Sequence, residues 1–248
     1  MIGLLLLAWF VLGWMLITEL SYLPGHSLNA WLYDRLAPLY PRKTRQRAYA
    51  DPGTQDRTLL APLRELCRYR TGPVVLDVGC GSGRASLALV RQPWFTGRII
   101  ALDLSEAMLA QFRAARETLG DAQRARIEIH RAGAAEFLPA AGNVDAILLL
   151  EVGEFIRGFP ALLRALLARL SPGGLLVITR PPFPYSLMFP FRAQGRRTLA
   201  RLLRDSGLER VETVDFRPRY AFVHAWRPVR VPDTLGAAAV RGSTRSPS

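Results

Sequence analysis

Val74-Val75-Leu76-Asp77-Val78-Gly79-Cys80-Gly81-Ser82-Gly83-Arg84-Ala85-Ser86 is the stretch on which the reading of this chain turns. Val74 to Val78 is short, mostly apolar and β-branched, the pattern of a buried strand. It runs into a turn carrying Gly79, Gly81 and Gly83, whose missing Cβ atoms are expected to let a ligand approach the backbone. Arg84 to Val90 then suits a helix, and the free N–H groups at its start would face whatever sits over the turn. Strand, glycine turn and helix in that order make a nucleotide-binding corner. Spacing narrows the nucleotide: a dinucleotide fingerprint wants Gly-x-Gly-x-x-Gly, but here the third glycine comes one residue early and Arg84 takes its place, which disfavours NAD. A second strand, Arg98 to Leu102, ends at Asp103, at about the ~20-residue interval that puts an acid on a ribose hydroxyl.

Leu76-Asp77-Val78-Gly79-Cys80-Gly81-Ser82-Gly83 and Ile100-Ala101-Leu102-Asp103-Leu104-Ser105-Glu106-Ala107-Met108-Leu109, taken in order, resemble the class I S-adenosylmethionine-dependent methyltransferases. The segment from about Arg57 to Pro228 can be laid on that family's pattern. The resemblance implies an α/β fold, a doubly wound seven-stranded sheet that is mostly parallel, with S-adenosyl-L-methionine as cofactor. It implies that Asp77 and the loop of Gly79, Cys80, Gly81 and Gly83 hold the methionine half and that Asp103 binds the ribose hydroxyls. Met108 and Leu109 read as packing residues, although the loop into their helix, with Leu104 and Met108, borders the adenine in relatives. After the third strand, Ile127 to Arg131, relatives carry Gly-Asp, whereas this chain has Gly133-Ala134. Backbone groups of Ala134 and Ala135, or the Glu136 carboxylate, are left to read the base.

Half of the 248 residues are hydrophobic, enough for one sizeable core. The two cysteines, Cys67 and Cys80, have neither the number nor the spacing of a metal site or disulfide framework, and a reducing compartment fits them. The net charge of +13 points to acidic partners, nucleic acid or an anionic membrane, without choosing between them. Lys43 is the only lysine, so the basic charge is almost all arginine.

From Met1 to Thr18 no residue is charged. At ~1.5 Å per residue such a helix just reaches across a ~30 Å hydrocarbon layer. A cleaved signal peptide would carry positive residues before the apolar run and a small-x-small site after it, and neither is evident. Residues 1–23 therefore read as a single-pass transmembrane anchor. The basic residues Arg35, Arg42, Lys43, Arg45 and Arg47 follow, so the positive-inside rule puts the catalytic domain in the cytoplasm. Residues 24–56 form a juxtamembrane segment in which Leu32-Tyr33-Asp34-Arg35-Leu36-Ala37-Pro38-Leu39-Tyr40 is similar to the Tyr-Asp-x-x-Ala-x-x-Tyr approach segment of methyltransferases acting on quinones and on phosphatidylethanolamine. Pro41 stands where those relatives close with Asp. Residues 57–229 form the methyltransferase domain, and 230–248, small, polar and dotted with arginine, read as a disordered tail.

Val144 to Leu150 is continuously apolar after Asp145, as expected of a strand at the centre of a parallel sheet. It delivers Glu151-Val152-Gly153-Glu154-Phe155 to the carboxyl edge, where open α/β sheets bind ligands. Many relatives have Glu-x-x-x-His here, and Phe155 takes the histidine position, which excludes a histidine base at that place. Glu151 and Glu154 remain as candidates for a base or a cation-stabilising carboxylate, and Glu151 also for the cofactor. Ser171-Pro172-Gly173-Gly174 reads as a turn into a fifth strand, Leu175 to Thr179. The apolar, proline-rich Arg180 to Phe191 then reads as an acceptor-pocket wall or membrane-dipping loop. Tyr33, Tyr40 and Tyr185 are candidates for the acceptor side, where aromatic faces attract a cation.

These residues point to a membrane-anchored methyltransferase acting on a lipophilic small molecule: a quinone or isoprenoid precursor, or a phospholipid head group. Two other readings stand beside it. A nucleic-acid methyltransferase would account for the charge, but the Asn/Asp-Pro-Pro-aromatic element is absent after the fourth strand and no Pro-Cys pair supplies a nucleophile. A non-catalytic S-adenosylmethionine-binding scaffold would account for Ala134 and Phe155.

Overall fold

Nine α-helices and seven strands account for the regular structure among the residues that the computed structural model describes: 2–20, 27–39, 56–138, 142–156, 158–181, 195–216 and 220–229. In chain order they are α1 (Ile2–Leu20), α2 (Ser27–Leu36), α3 (Ala61–Tyr69), β1 (Val74–Val78), α4 (Arg84–Val90), β2 (Arg98–Asp103), α5 (Glu106–Glu117), α6 (Asp121–Arg124), β3 (Ile127–Arg131), α7 (Ala134–Phe137), β4 (Val144–Leu149), α8 (Phe159–Ala168), β5 (Leu170–Arg180), α9 (Arg196–Asp205), β6 (Glu209–Phe216) and β7 (Tyr220–Trp226). The strands form one sheet in the order β3-β2-β1-β4-β5-β7-β6, with β7 antiparallel to both its neighbours. Strands 1 to 5 run parallel, as the sequence led us to expect.

The side-chain period of two along each strand sorts the apolar residues onto two faces. On one face Val75, Ile99, Ala101 and Leu148 pack with Leu63 and Leu66 of α3 and with Leu109 and Phe112 of α5. On the other, Leu76, Ile100, Ile147 and Leu149 pack with Leu163 and Leu166 of α8 and with Leu199 and Leu203 of α9. Each fully buried leucine or isoleucine contributes ~1.5–3 kcal/mol of transfer free energy, so both layers are held by burial. Strand order reverses between β1 and β4, which opens a crevice at their carboxyl ends.

One expectation changes. The Ser171-Pro172-Gly173-Gly174 element is no turn before the fifth strand: β5 starts at Leu170, pairs with Val144, and shifts register before Ala146 meets Leu175. Gly173, at φ +74°, absorbs that irregularity and donates its N–H to the Arg227 carbonyl. A π-helical turn at Asp56–Leu60 leads into α3. The buried His224 of β7 contacts the Thr58 carbonyl at 2.7 Å through Nε2, a structural role. Burial lowers its pKa.

The leading apolar run is helical from Ile2 to Leu20, and its side chains are described only as far as Gly13. Leu5, Leu6, Leu7, Trp9, Phe10, Val11 and Leu12 are 46–71% exposed, so this part of the helix is not folded into the core. Among the described residues no helix is long and apolar enough to cross a membrane. Tyr40, the basic run Arg42 to Arg47, the stretch Pro182 to Phe191 with Tyr185, and the tail from Arg230 lie outside the described residues.

Candidate cofactor and acceptor site

The crevice contains a cleft lined by Asp77, Gly79, Cys80, Gly81, Ser82, Arg84, Ala85, Leu150 and Glu151, enclosing about 370 Å³ of empty space, open solvent included. Its floor is made by backbone hydrogen bonds between the ends of β1 and β2. Gly79 N–H and Cys80 N–H both donate to the Leu102 carbonyl, at 2.8 and 2.9 Å. Gly81 N–H donates to Asp103 Oδ2 at 2.7 Å and Ser105 N–H to Asp103 Oδ1 at 2.9 Å. The Asp103 carboxylate thus faces the glycine bend. Each of its oxygens keeps a lone pair for a ligand hydroxyl. Burial raises its pKa against these backbone bonds.

Asp77 is 2% exposed and accepts the Ser86 hydroxyl at 2.6 Å. Burial pushes its carboxyl up to about 6, against the lowering effect of Ser86 and Arg84, and the nearby Asp103 raises it further. Two carboxylates at the ends of neighbouring strands, repelling each other around one glycine turn, suit a ligand that carries positive charge and vicinal hydroxyls. A sulfonium nucleoside has both, so these residues fit the cofactor that the sequence suggests. Cys80, whose thiol is pushed well up by burial, turns its Sγ to the Gly81 carbonyl and is a poor nucleophile in this state.

Gly79 and Gly81 line the cleft, and the glycines have a packing role besides. At Gly83, φ +79°, a Cβ would lie 2.1 Å from Cδ2 of Phe112; at Gly79, φ +67°, it would lie 2.3 Å from Cγ2 of Val152. The room left by the absent side chains is filled by the protein's own, so these positions are glycine for the left-handed turn and for close packing. Met108 is likewise a packing residue: it is 2% exposed and its Cε would be 3.0 Å from a Cβ at Gly81. Leu104 is partly exposed between Asp103 and Ser105. Ala134 is buried at the start of α7 and Ala135 is exposed. The Glu136 carboxylate accepts Gly133 N–H at 3.2 Å, which commits it to capping α7.

The opposite wall comes from β4. Glu151 adopts φ +59°, a conformation costly for a residue with a Cβ. Its N–H donates to Thr179 Oγ1 at 2.6 Å, and its carboxylate lies 3.4 Å from Arg84 Nη2 across the cleft. Glu154 is 2% exposed, within the 3₁₀ turn Gly153–Phe155, and does not line the cleft. Of the two glutamates, the structure brings Glu151 to the site. Tyr33 of α2 meets the Phe155 ring edge-on, with centroids 5.8 Å apart, which places it beside the β4 end.

Sequence reasoning did not find Ser82, Ala85, Leu150, Ser86 or Thr179, and it noted Arg84 only as a departure from the dinucleotide pattern. One signal was available: Thr179 is a hydroxyl closing an apolar strand, and the β4–β5 register that pairs Leu149 with Ile178 sets it beside position 150.

Over residues 75–174 the chain matches the family described as a methyltransferase domain. Residues 75–174 form a methyltransferase domain, and the chain is similar to the class I S-adenosylmethionine-dependent methyltransferases. The family's cofactor is S-adenosylmethionine, and solved structures of the fold hold it or its demethylated product. The protein-L-isoaspartate O-methyltransferase of Methylorubrum extorquens (strain PA1) is 33% identical over 177 residues, covering 71% of this chain and 66% of that one. The ubiquinone biosynthesis O-methyltransferase of Xanthomonas axonopodis pv. citri (strain 306) is 31% identical over 135 residues, 53% of this chain and 52% of that one. Among solved structures, the [4+2]-cyclase SpnF superposes with a TM-score of 0.61 at 17% identity, covering 82% of this chain and 96% of that one; this likeness shows the fold. The chain spans 66%, 38%, 52% and 33% of the curated relatives it matches.

Proposed function

We propose that the protein is a membrane-anchored methyltransferase that passes the cofactor's methyl group to a lipophilic acceptor, a quinone or isoprenoid precursor or a phospholipid head group. The observation that carries the reading is the exposure of α1, whose apolar side chains from Leu5 to Leu12 turn to solvent at 46–71% with no charge among them. A helix apolar all round is at home in protein core or in lipid, and the described part of this one is not in the core. An anchor confines the enzyme to the phase that holds such acceptors. The arginines following α1 favour a catalytic domain on the cytoplasmic side.

Bound at the cleft, S-adenosylmethionine supplies an activated methyl group on sulfur. Asp77 and the loop from Gly79 to Gly83 would hold its methionine half and Asp103 its ribose hydroxyls. Ala134 and Ala135 would lie at the base edge. Glu151 and the Tyr33–Phe155 pair stand on the acceptor side. There the Glu151 carboxylate, already balanced by Arg84, is suited to orienting an acceptor or neutralising a cation. Fixing donor and acceptor in line can supply up to ~7–11 kcal/mol of the barrier, so an elaborate set of proton-transfer groups is unnecessary.

A second reading has one observation in its favour: the isoaspartate enzyme, a protein methyltransferase by name, aligns over 71% of this chain. One experiment separates the two. Membranes from cells producing the full chain are incubated with methyl-labelled S-adenosylmethionine, and the lipid and protein fractions are counted. Label in the organic extract supports the lipid acceptor; label confined to protein supports the second reading. Cofactor binding with neither product points to a non-catalytic scaffold. Extraction of the chain into alkaline carbonate would overturn the anchor.

A further inference from the structure

We propose that Asp34 is a positioning residue that clasps α2 over the cofactor half of the site, so that cofactor binding and closure of α2 favour each other. The inference rests on the cofactor assignment above. Asp34 Oδ1 accepts the Ser105 hydroxyl at 2.6 Å and the Ala107 N–H at 3.1 Å. A second tie runs from Gln111 Nε2 to the carbonyl of Ala37, at 2.7 Å. Both ties cross from the segment around α2 to α5, some 70 residues away in the chain.

Ser105 is the joint. It is 1% exposed, and its groups are divided between the two sides: N–H to Asp103 at 2.9 Å, O–H to Asp34, and an Oγ lone pair to Met108 N–H at 3.2 Å. If α2 lifted away, the Ser105 hydroxyl and the Ala107 N–H, one of the unpaired donors of the first turn of α5, would both lose their acceptor. The same arrangement places two carboxylates, Asp34 and Asp103, on one buried serine, where they repel. A ligand hydroxyl donating to Asp103 disperses its charge and makes the approach of Asp34 less costly. Coupling of this sign is positive and reciprocal: what closes α2 also tightens the cofactor.

The test uses the full-length protein in nanodiscs, with S-adenosylhomocysteine as probe and amide hydrogen exchange over residues 27–39 as readout. In the wild type the probe slows exchange in this segment by at least about fivefold, the lower end of common site-to-site couplings. Asp34→Ala abolishes that response and weakens probe binding by a similar factor. Asp34→Asn keeps the acceptor oxygen but loses the charge opposing Asp103, so the segment is protected with or without the probe and the probe response is again lost. If the probe binds wild type without slowing exchange at 27–39, or slows it equally in Asp34→Ala, the clasp is wrong and the cofactor assignment stands. If the wild type does not bind the probe at all, both fall. A lowered melting temperature in Asp34→Ala with the probe response intact would mark a purely structural contact and also overturn the proposal.

Discussion

The ends of β1 and β2 and the end of β4 face one cleft but are built by different means. On the β1–β2 side, main-chain donors do the holding: Gly79 and Cys80 are tied to Leu102, and Gly81 to Asp103, at 2.7–2.9 Å. The left-handed φ values there fall on glycines, where they cost little. On the β4 side the left-handed residue is Glu151, and it is held by side chains from elsewhere, the Thr179 hydroxyl and the Arg84 guanidinium. One half is a relaxed scaffold built from a short local motif. The other half stores strain in a residue whose carboxylate reaches the ligand space, as functional positions often do.

The contrast can be broken by substitution, starting from the relaxed side. Gly83→Ala puts a methyl group into the Phe112 ring at a φ of +79° and should cost roughly 2–5 kcal/mol, read from the urea midpoint. A shift under about 1 kcal/mol would mean that the turn can relax and that packing does not require glycine. Next in size is a pH effect at Asp77. Its carboxyl, raised to about 6 from an ordinary 3.8, keeps a proton in the folded protein that the unfolded chain has lost. Stability from this group is therefore present near pH 4 and declines as pH rises through about 6, by about 2–3 kcal/mol. Asp77→Asn should flatten that slope when unfolding is compared at pH 4 and 7.5.

Asp103→Asn sets an amide N–H against one of the two backbone donors now facing the carboxylate. S-adenosylhomocysteine should bind about 10- to 30-fold more weakly, in line with ~1.5–2 kcal/mol for a hydrogen bond to a charged group. Calorimetric titration with equal affinity for both proteins would remove Asp103 from the ligand's contacts. The smallest effect is on the strained side. Glu151→Gly should be more stable than Glu151→Ala by about 1 kcal/mol, the reverse of the usual order in a strand, because only glycine is relaxed at φ +59°. Both variants lose the partner of Arg84 and should be slower in methyl transfer. Matching stabilities would show that the strain is absorbed elsewhere.

The same division explains what could be read from sequence. β1 and β3 lie where periodicity placed them, Val74–Val78 and Ile127–Arg131, because apolar alternation is a local property of the chain. Ser105 caps α5 through Met108 N–H, an interaction that likewise reaches only three residues. Asp103 was found because motif spacing encodes which strand end it occupies. The partners of Asp77, Asp34 and Glu151 were not visible: Ser86, Ser105, Thr179 and Arg84 reach them across a helix turn or between distant elements, and pattern carries no such distances. β5 was misjudged for a physical reason as well. Pro172 and Gly173 mark a turn locally, yet β5 pairs with β4 on either side of them, at Leu170 and again from Leu175, with a register shift between.

The depth at which Asp77 sits has a calorimetric consequence. Burial holds its proton in place against the nearby Arg84 guanidinium, and a sulfonium and ammonium settling there would drive that proton into the medium. Heats of cofactor binding measured at about pH 5.5 will then differ between acetate and MES by their unequal ionisation enthalpies, and the difference counts the protons set free.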